Sequence, residues 1–88
     1  MVSQKVKIKN ATGLHLRPAG LLCEIAMKYG CKVTFKTADH YEANAKSVLS
    51  VLGACVKSGE EIEVSCDGAD EEAALTDLIS SIEDGLGE

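Results

Sequence analysis

Three short runs of this 88-residue chain alternate apolar and polar residues with a period of two. Val6 and Ile8 alternate with Lys5, Lys7 and Lys9; Val33 and Phe35 with Lys32, Thr34 and Lys36; Ile62, Val64 and Cys66 with Glu61, Glu63 and Ser65. A period of two sends successive side chains to opposite faces of a strand, so each run has one buried and one wet face. Strands of a parallel sheet covered on both sides read instead as continuous apolar runs. These strands therefore belong to an antiparallel sheet with helices on one side only. A fourth strand is expected over Tyr41 to Ala45, pairing with Lys32–Thr37 through Ala38-Asp39-His40, a connection of hairpin length.

The covering helices show a different period. Leu16 to Tyr29 carries Leu22, Ile25, Ala26 and Tyr29 at helical spacing and stops at Gly30, expected as a left-handed cap. Ser47 to Leu52 is a shorter helix with Ser47 as N-cap and Gly53 at its end. The last helix opens near Asp70-Glu71-Glu72, whose charges suit a helix N-terminus, and buries Leu75, Leu78, Ile79 and Ile82 before fraying at Gly85. The expected fold is an α+β open-faced sandwich over residues 1–88, a four-stranded antiparallel sheet with three helices on one face in the order β-α-β-β-α-β-α. At this length the chain has material for one modest core.

With no Trp, one Phe and two Tyr, that core is aliphatic. No apolar run approaches the roughly 20 residues that cross a bilayer, and the N-terminus does not read as a signal peptide, so a soluble cytoplasmic protein without membrane insertion is expected. Three of the four cysteines (Cys23, Cys31, Cys55, Cys66) lie in apolar stretches, none forms a CxxC pair, and the two histidines are not at ligand spacing to them. They read as reduced, small buried side chains, with no metal and no cofactor expected. The net charge of −5 argues against nucleic-acid binding. Its distribution is uneven: residues 1–46 hold eight Lys/Arg against three Asp/Glu, and residues 47–88 hold one against eleven. A basic half suits phosphate or an acidic partner surface, although such asymmetry in a small domain is equally often incidental.

The chemistry concentrates in "NATGLHLRPAG", residues 10–20. Proline is tolerated in the first turn of a helix, where its missing N–H has no partner to lose, so Pro18 marks a helix start between His15 and Pro18. That end of a helix offers unpaired N–H groups and the positive pole of the dipole, a binding place for an anion such as phosphate. Arg17 adds a guanidinium fork matched to phosphate oxygens, and Gly13 permits the tight turn before the site. The dipole disfavours a second positive charge on His15, leaving a neutral ring nitrogen that can attack a phosphoryl group. An isolated histidine near a cap would be an ordinary surface residue, but the combination of His, Arg, first-turn Pro and upstream Gly serves one geometric purpose. His40, in the hairpin turn, has no such support.

This stretch resembles the phosphorylation motif of the histidine-containing phosphocarrier (HPr) family of the bacterial sugar phosphotransferase system, and "NAKSVLSVLG" resembles that family's second segment. The resemblance spans essentially the whole chain. It implies that His15 accepts a phosphoryl group from enzyme I and passes it to IIA-type sugar-specific components, with Arg17 stabilising the phosphorylated ring, in a stoichiometric carrier that is not an enzyme; small size and the transient contacts of that role make a monomer the default expectation. It further implies that Ser47 matches a serine phosphorylated in some relatives by an ATP-dependent kinase/phosphorylase, which promotes binding to a carbon-catabolite repressor. Without the resemblance Ser47 is simply a helix cap, and the two roles are compatible. Leu49 and Leu52, three apart on the short helix, fit core burial equally well by pattern. The resemblance assigns them, with Leu16 and Gly20, to an exposed apolar patch where partners dock.

Three features depart from the commoner family pattern. Leu16 stands where a small or hydroxyl residue is usual, Cys55 where glycine is frequent, and one extra residue falls before Ser47. Two other readings compete: a regulatory paralogue acting mainly as a protein-binding module through Ser47, and a ferredoxin-like metal or ligand-binding domain. Retention of His15 disfavours the first, and the absence of clustered His and Cys the second.

Overall fold

The computed structural model describes residues 1–87. Its elements follow the expected order: β1 (Val2–Lys7), α1 (Leu16–Ala26), β2 (Lys32–Lys36), β3 (Glu42–Asn44), α2 (Val48–Gly53), β4 (Glu61–Asp67) and α3 (Glu71–Glu83). The strands form one antiparallel sheet in the order β1-β4-β2-β3, so the first and last strands in sequence are neighbours and β2 lies inside. This is the open-faced α+β sandwich. Val6, Val33, Phe35, Ile62, Val64 and Cys66 are buried, as are Leu22 and Ile25 of α1, Val51 of α2, and Leu78 and Ile82 of α3. The period-two residues thus meet the period-3.6 residues in a single core.

The wet face explains the register. Lys5 lies opposite Glu63, Glu63 opposite Lys36, and Lys36 opposite Glu42, so one row across the sheet alternates in sign; Lys7 faces Glu61 and Lys32 faces Asp67. Opposite charges in cross-strand positions contribute roughly 0.2–1 kcal/mol per pair, and a one-residue slip would also turn the apolar set outward.

Several boundaries differ from the expectation for identifiable reasons. β1 runs from Val2 to Lys7 rather than 5–9, because its partners extend from Cys66 to Glu61; Ile8, fully buried, still exchanges backbone hydrogen bonds with Glu60 and Gly59. β3 is confined to Glu42–Asn44, short of Tyr41 to Ala45. Helix α1 stops at Ala26, not Tyr29, and tightens into i→i+3 bonds from Lys28 and Tyr29. Gly30 is not a left-handed cap. Its N–H and that of Cys31 donate to the Asp70 carboxylate at 2.9 and 3.0 Å, so a distant residue fixes the α1–β2 turn.

Gly53 is likewise the last helical residue of α2, and the left-handed exit falls two residues later, on Cys55 with φ +53°. Helix α3 does not fray at Gly85. Gly85 (φ +91°) forms a Schellman cap in which its N–H donates to the Ile82 carbonyl and the Leu86 N–H to the Ser81 carbonyl, and Leu86 returns to the core. The cysteines also divide: Cys31 and Cys66 are buried as expected, whereas Cys23 is half-buried and Cys55 exposed.

Candidate functional site

The segment from Asn10 to His15 is shaped by its contacts with the loop that precedes β4. The Leu14 N–H donates to the Val56 carbonyl at 2.9 Å, and Gly13, with φ +68°, lies so close that a side chain there would meet the Val56 carbonyl oxygen at 2.4 Å and the Lys57 Cα at 2.8 Å. Asn10, buried, secures the turn from the other side: its carbonyl accepts from the Gly13 N–H and its side-chain amide donates to the Gly13 carbonyl. With Leu14 buried as the anchor, the next residue must emerge.

His15 does emerge, as the N-cap of α1. Its backbone is extended, its carbonyl accepts the Ala19 N–H at 2.8 Å, and its exposed side chain makes no capping hydrogen bond. Leu16 and Arg17 occupy the first two helical positions, so Arg17 is helical despite the proline that follows, and Pro18 is buried in the first turn. No acidic residue lies in that turn. The first-turn N–H groups and the positive dipole end thus lie beside the imidazole with no acidic residue of that turn to occupy them.

Two hollows flank this helix mouth, and they separate the residues that the sequence brought together. One, of about 300 Å³, is lined by Thr12, Leu14, His15, Leu52, Cys55, Val56 and Lys57. The other, of about 440 Å³, is lined by Leu16, Arg17, Gly20, Leu21, Glu24, Leu86 and Gly87. His15 and Arg17 are two residues apart but line different hollows, with Leu16, 65% exposed, between them.

Leu49 is 82% exposed, which decides against core burial, whereas Leu52 is half-buried against the core and reaches the His15 hollow. Leu16, Gly20 and Leu49 thus present surface, and Leu52 shares its surface between core and site. Ser47 caps α2, accepting a 3.3 Å hydrogen bond from the Ser50 N–H, and is itself half-buried. His40 is exposed in the β2–β3 turn at φ +67°.

Sequence reasoning did not anticipate Cys55 and Lys57 beside His15. They lie about forty positions downstream, and their only signal was indirect: Cys55 by its departure from glycine, Lys57 as the one Lys/Arg in residues 47–88. Among the described residues no group of three or more His, Cys, Asp or Glu could hold a metal ion, and no helix is long and apolar enough to cross a membrane.

The chain is similar to known proteins along nearly its whole length. Residues 2–84 match the family described as the PTS HPr component phosphorylation site. The phosphocarrier protein HPr of Streptomyces coelicolor is 40% identical over 88 residues, covering all of this chain and 95% of the relative. The HPr-like protein Crh of Bacillus subtilis is 34% identical over 84 residues, 96% of this chain and 98% of Crh. Among solved structures, HPr from Thermoanaerobacter tengcongensis superposes with a TM-score of 0.94 at 35% identity, over all of this chain and 98% of that one.

Proposed function

Since the chain belongs to the HPr family of phosphotransferase-system phosphocarriers, we propose that it relays phosphoryl groups on His15, accepting them from phosphorylated enzyme I and donating them to IIA-type sugar-specific components. The observation that carries this reading is the exposed imidazole at the uncapped mouth of α1. An unprotonated ring nitrogen attacks phosphorus while the bond to the donor breaks and its electron pair leaves with the donor. The backbone N–H groups of Leu16 and Arg17, in the first turn after His15, are the donors that would meet the transferred charge, and electrostatic help of this kind is the main protein contribution to phosphoryl transfer. Arg17, in the adjoining hollow, serves the phosphorylated ring by turning its flexible side chain around Leu16. We read the chain as a stoichiometric carrier rather than an enzyme, because the phosphoryl group accepted on His15 is passed on to a second protein. We assign the whole described chain to one such carrier unit, working as a monomer in the cytoplasm.

Leu16, Gly20, Leu49 and Leu52 form the docking patch. Small exposed apolar surfaces beside a reacting group suit encounters that must end after each transfer. Incubation with enzyme I and phosphoenolpyruvate, followed by intact-mass measurement, tests the relay. One acid-labile phosphate is expected, absent in His15→Ala; an unmodified wild-type protein would refute it.

Ser47 supports a further, regulatory reading. A phosphate on an N-cap serine sits at the favourable end of the α2 dipole and adds charge beside Leu49 without disturbing the fold. Phosphorylation there by an ATP-dependent kinase/phosphorylase would create a surface for a carbon-catabolite repressor. The likeness to Crh favours considering a mainly regulatory paralogue, but the exposed His15 favours the relay. An acid-stable adduct formed with ATP and the kinase should disappear in Ser47→Ala.

A further inference from the structure

The 300 Å³ hollow lined by His15 is also lined by a basic residue, which is Lys57 and not Arg17. Resting on the phosphoryl-acceptor reading of His15, we infer that Lys57 is a second cation for the anion that His15 receives, acting from the hollow that His15 lines rather than from the one that Arg17 lines.

The backbone of Lys57 is held firmly at this place. Its N–H donates to the Glu60 carboxylate at 2.9 Å, its carbonyl accepts the Glu60 N–H at 3.1 Å, and the preceding Val56 carbonyl accepts from Leu14. The absence of a side chain at Gly13 allows the Lys57 Cα to approach the His15 loop at contact distance. The stem therefore starts from backbone packed against Gly13, two residues before the histidine in sequence. Its ammonium has no acidic partner within 4 Å among the described residues, where the only ion pairs are those of the N-terminus. The Glu60 carboxylate, the acid nearest in sequence, is engaged by the Lys57 N–H rather than by its side chain.

Electrostatics gives such a placement a purpose. Residues 47–88 carry eleven acids, and Lys57 is the one Lys/Arg among them; its charge offsets that repulsion at the point where an anion must approach. A lysine acts as a mobile point charge and can follow the phosphoryl group, whereas the Arg17 fork prefers a fixed bidentate geometry. Unit charges on the order of 8 Å apart in water, with a Debye length of about 30 Å at low salt, correspond to about a twofold difference in rate.

The test uses potassium phosphoramidate as a small donor that needs no protein partner. A neutral ring nitrogen of His15 forms the N–P bond while the P–N bond of phosphoramidate breaks and ammonia leaves with its electron pair. Initial rates of adduct formation are read by intact mass at roughly 10 mM and 150 mM salt, conditions with Debye lengths of about 30 and 8 Å. At low salt Lys57→Gln should be about twofold slower than wild type and Lys57→Glu about fourfold slower, while Lys57→Arg should match it. These ratios should shrink toward one at the higher salt, which a structural defect would not produce. Equal rates for all four proteins, a loss that Lys57→Arg does not restore, or a loss insensitive to salt would overturn the inference and leave the relay intact. Failure of wild-type His15 to accept phosphate would overturn the relay and this inference together.

Discussion

Gly13→Ala and Gly20→Ala should have opposite effects, although both exchange glycine for alanine within the same eleven-residue motif. At Gly13 three costs combine. The left-handed φ of +68° disfavours alanine by about 1–2 kcal/mol. The new Cβ would lie 2.4 Å from the Val56 carbonyl oxygen and 2.8 Å from the Lys57 Cα, both backbone atoms that cannot rotate aside. Relieving that overlap means separating the two loops, at about 1–3 kcal/mol for crowding, and stretching the 2.9 Å Leu14–Val56 hydrogen bond, at about 1 kcal/mol more. The smaller entropy of the unfolded alanine chain returns about 0.4–1 kcal/mol. The net loss at the middle of these ranges is about 4 kcal/mol.

At Gly20, inside α1 with nothing within 4 Å of a built Cβ, alanine should instead stabilise by about 0.5–1 kcal/mol. For a domain of this size each kcal/mol moves Tm by about 4–8 °C, so thermal melting should separate the two variants by more than about 15 °C. Because the Gly13 contact also carries the His15 loop, Gly13→Ala should slow adduct formation at temperatures where it remains folded. Two melts within about 3 °C of each other, or a Gly13→Ala loss below about 1 kcal/mol, would refute the argument that this close approach builds the site.

Cys55→Gly should raise stability by about 0.5–1 kcal/mol in denaturant unfolding, because φ +53° is relieved, whereas Cys55→Val, branched at Cβ, should lower it. Thiol labelling of the native protein should modify exposed Cys55 quickly and leave Cys31 and Cys66 untouched until unfolding, since burial pushes the Cys31 thiol up and that of Cys66 up to about 11. The hydrogen bond from the Tyr29 hydroxyl to Asp77, at 2.6 Å, and the negative charge of that carboxylate hold the Tyr29 phenol above its ordinary range. A group raised in the folded state stabilises it fully below the unfolded value of about 10 and loses that contribution as pH climbs through the folded value. Ultraviolet titration should therefore find one late tyrosinate transition, moved to lower pH by Asp77→Asn.

The parts legible in the sequence were those whose cause is local. Alternation at Lys5–Lys9, Lys32–Lys36 and Glu61–Ser65 follows from the pleat of a strand, and Pro18 could stand only at the beginning of a helix. The first-turn position of Pro18 and the exposure of His15 followed from the same local rules. The errors of boundary have distant causes: the turn after α1 is set by the Asp70 carboxylate some forty residues away, and the α3 terminus by the burial of Leu86. Leu49 and Leu52 share a spacing compatible with either core or surface, and only the direction in which α2 packs separates them.

By itself, then, the amino-acid order determined a one-sided antiparallel sheet, three covering helices and a histidine at a helix mouth, because periodicity and proline sterics act over a few residues. The tertiary structure decided what surrounds that histidine. Arg17, close in sequence, lines a separate hollow, while Leu52, Cys55 and Lys57 arrive beside His15 from the far half of the chain. The physical reason is that the backbone passes from extended at His15 to helical at Arg17, which parts near neighbours, whereas backbone contact at Gly13 joins two loops that no local pattern relates.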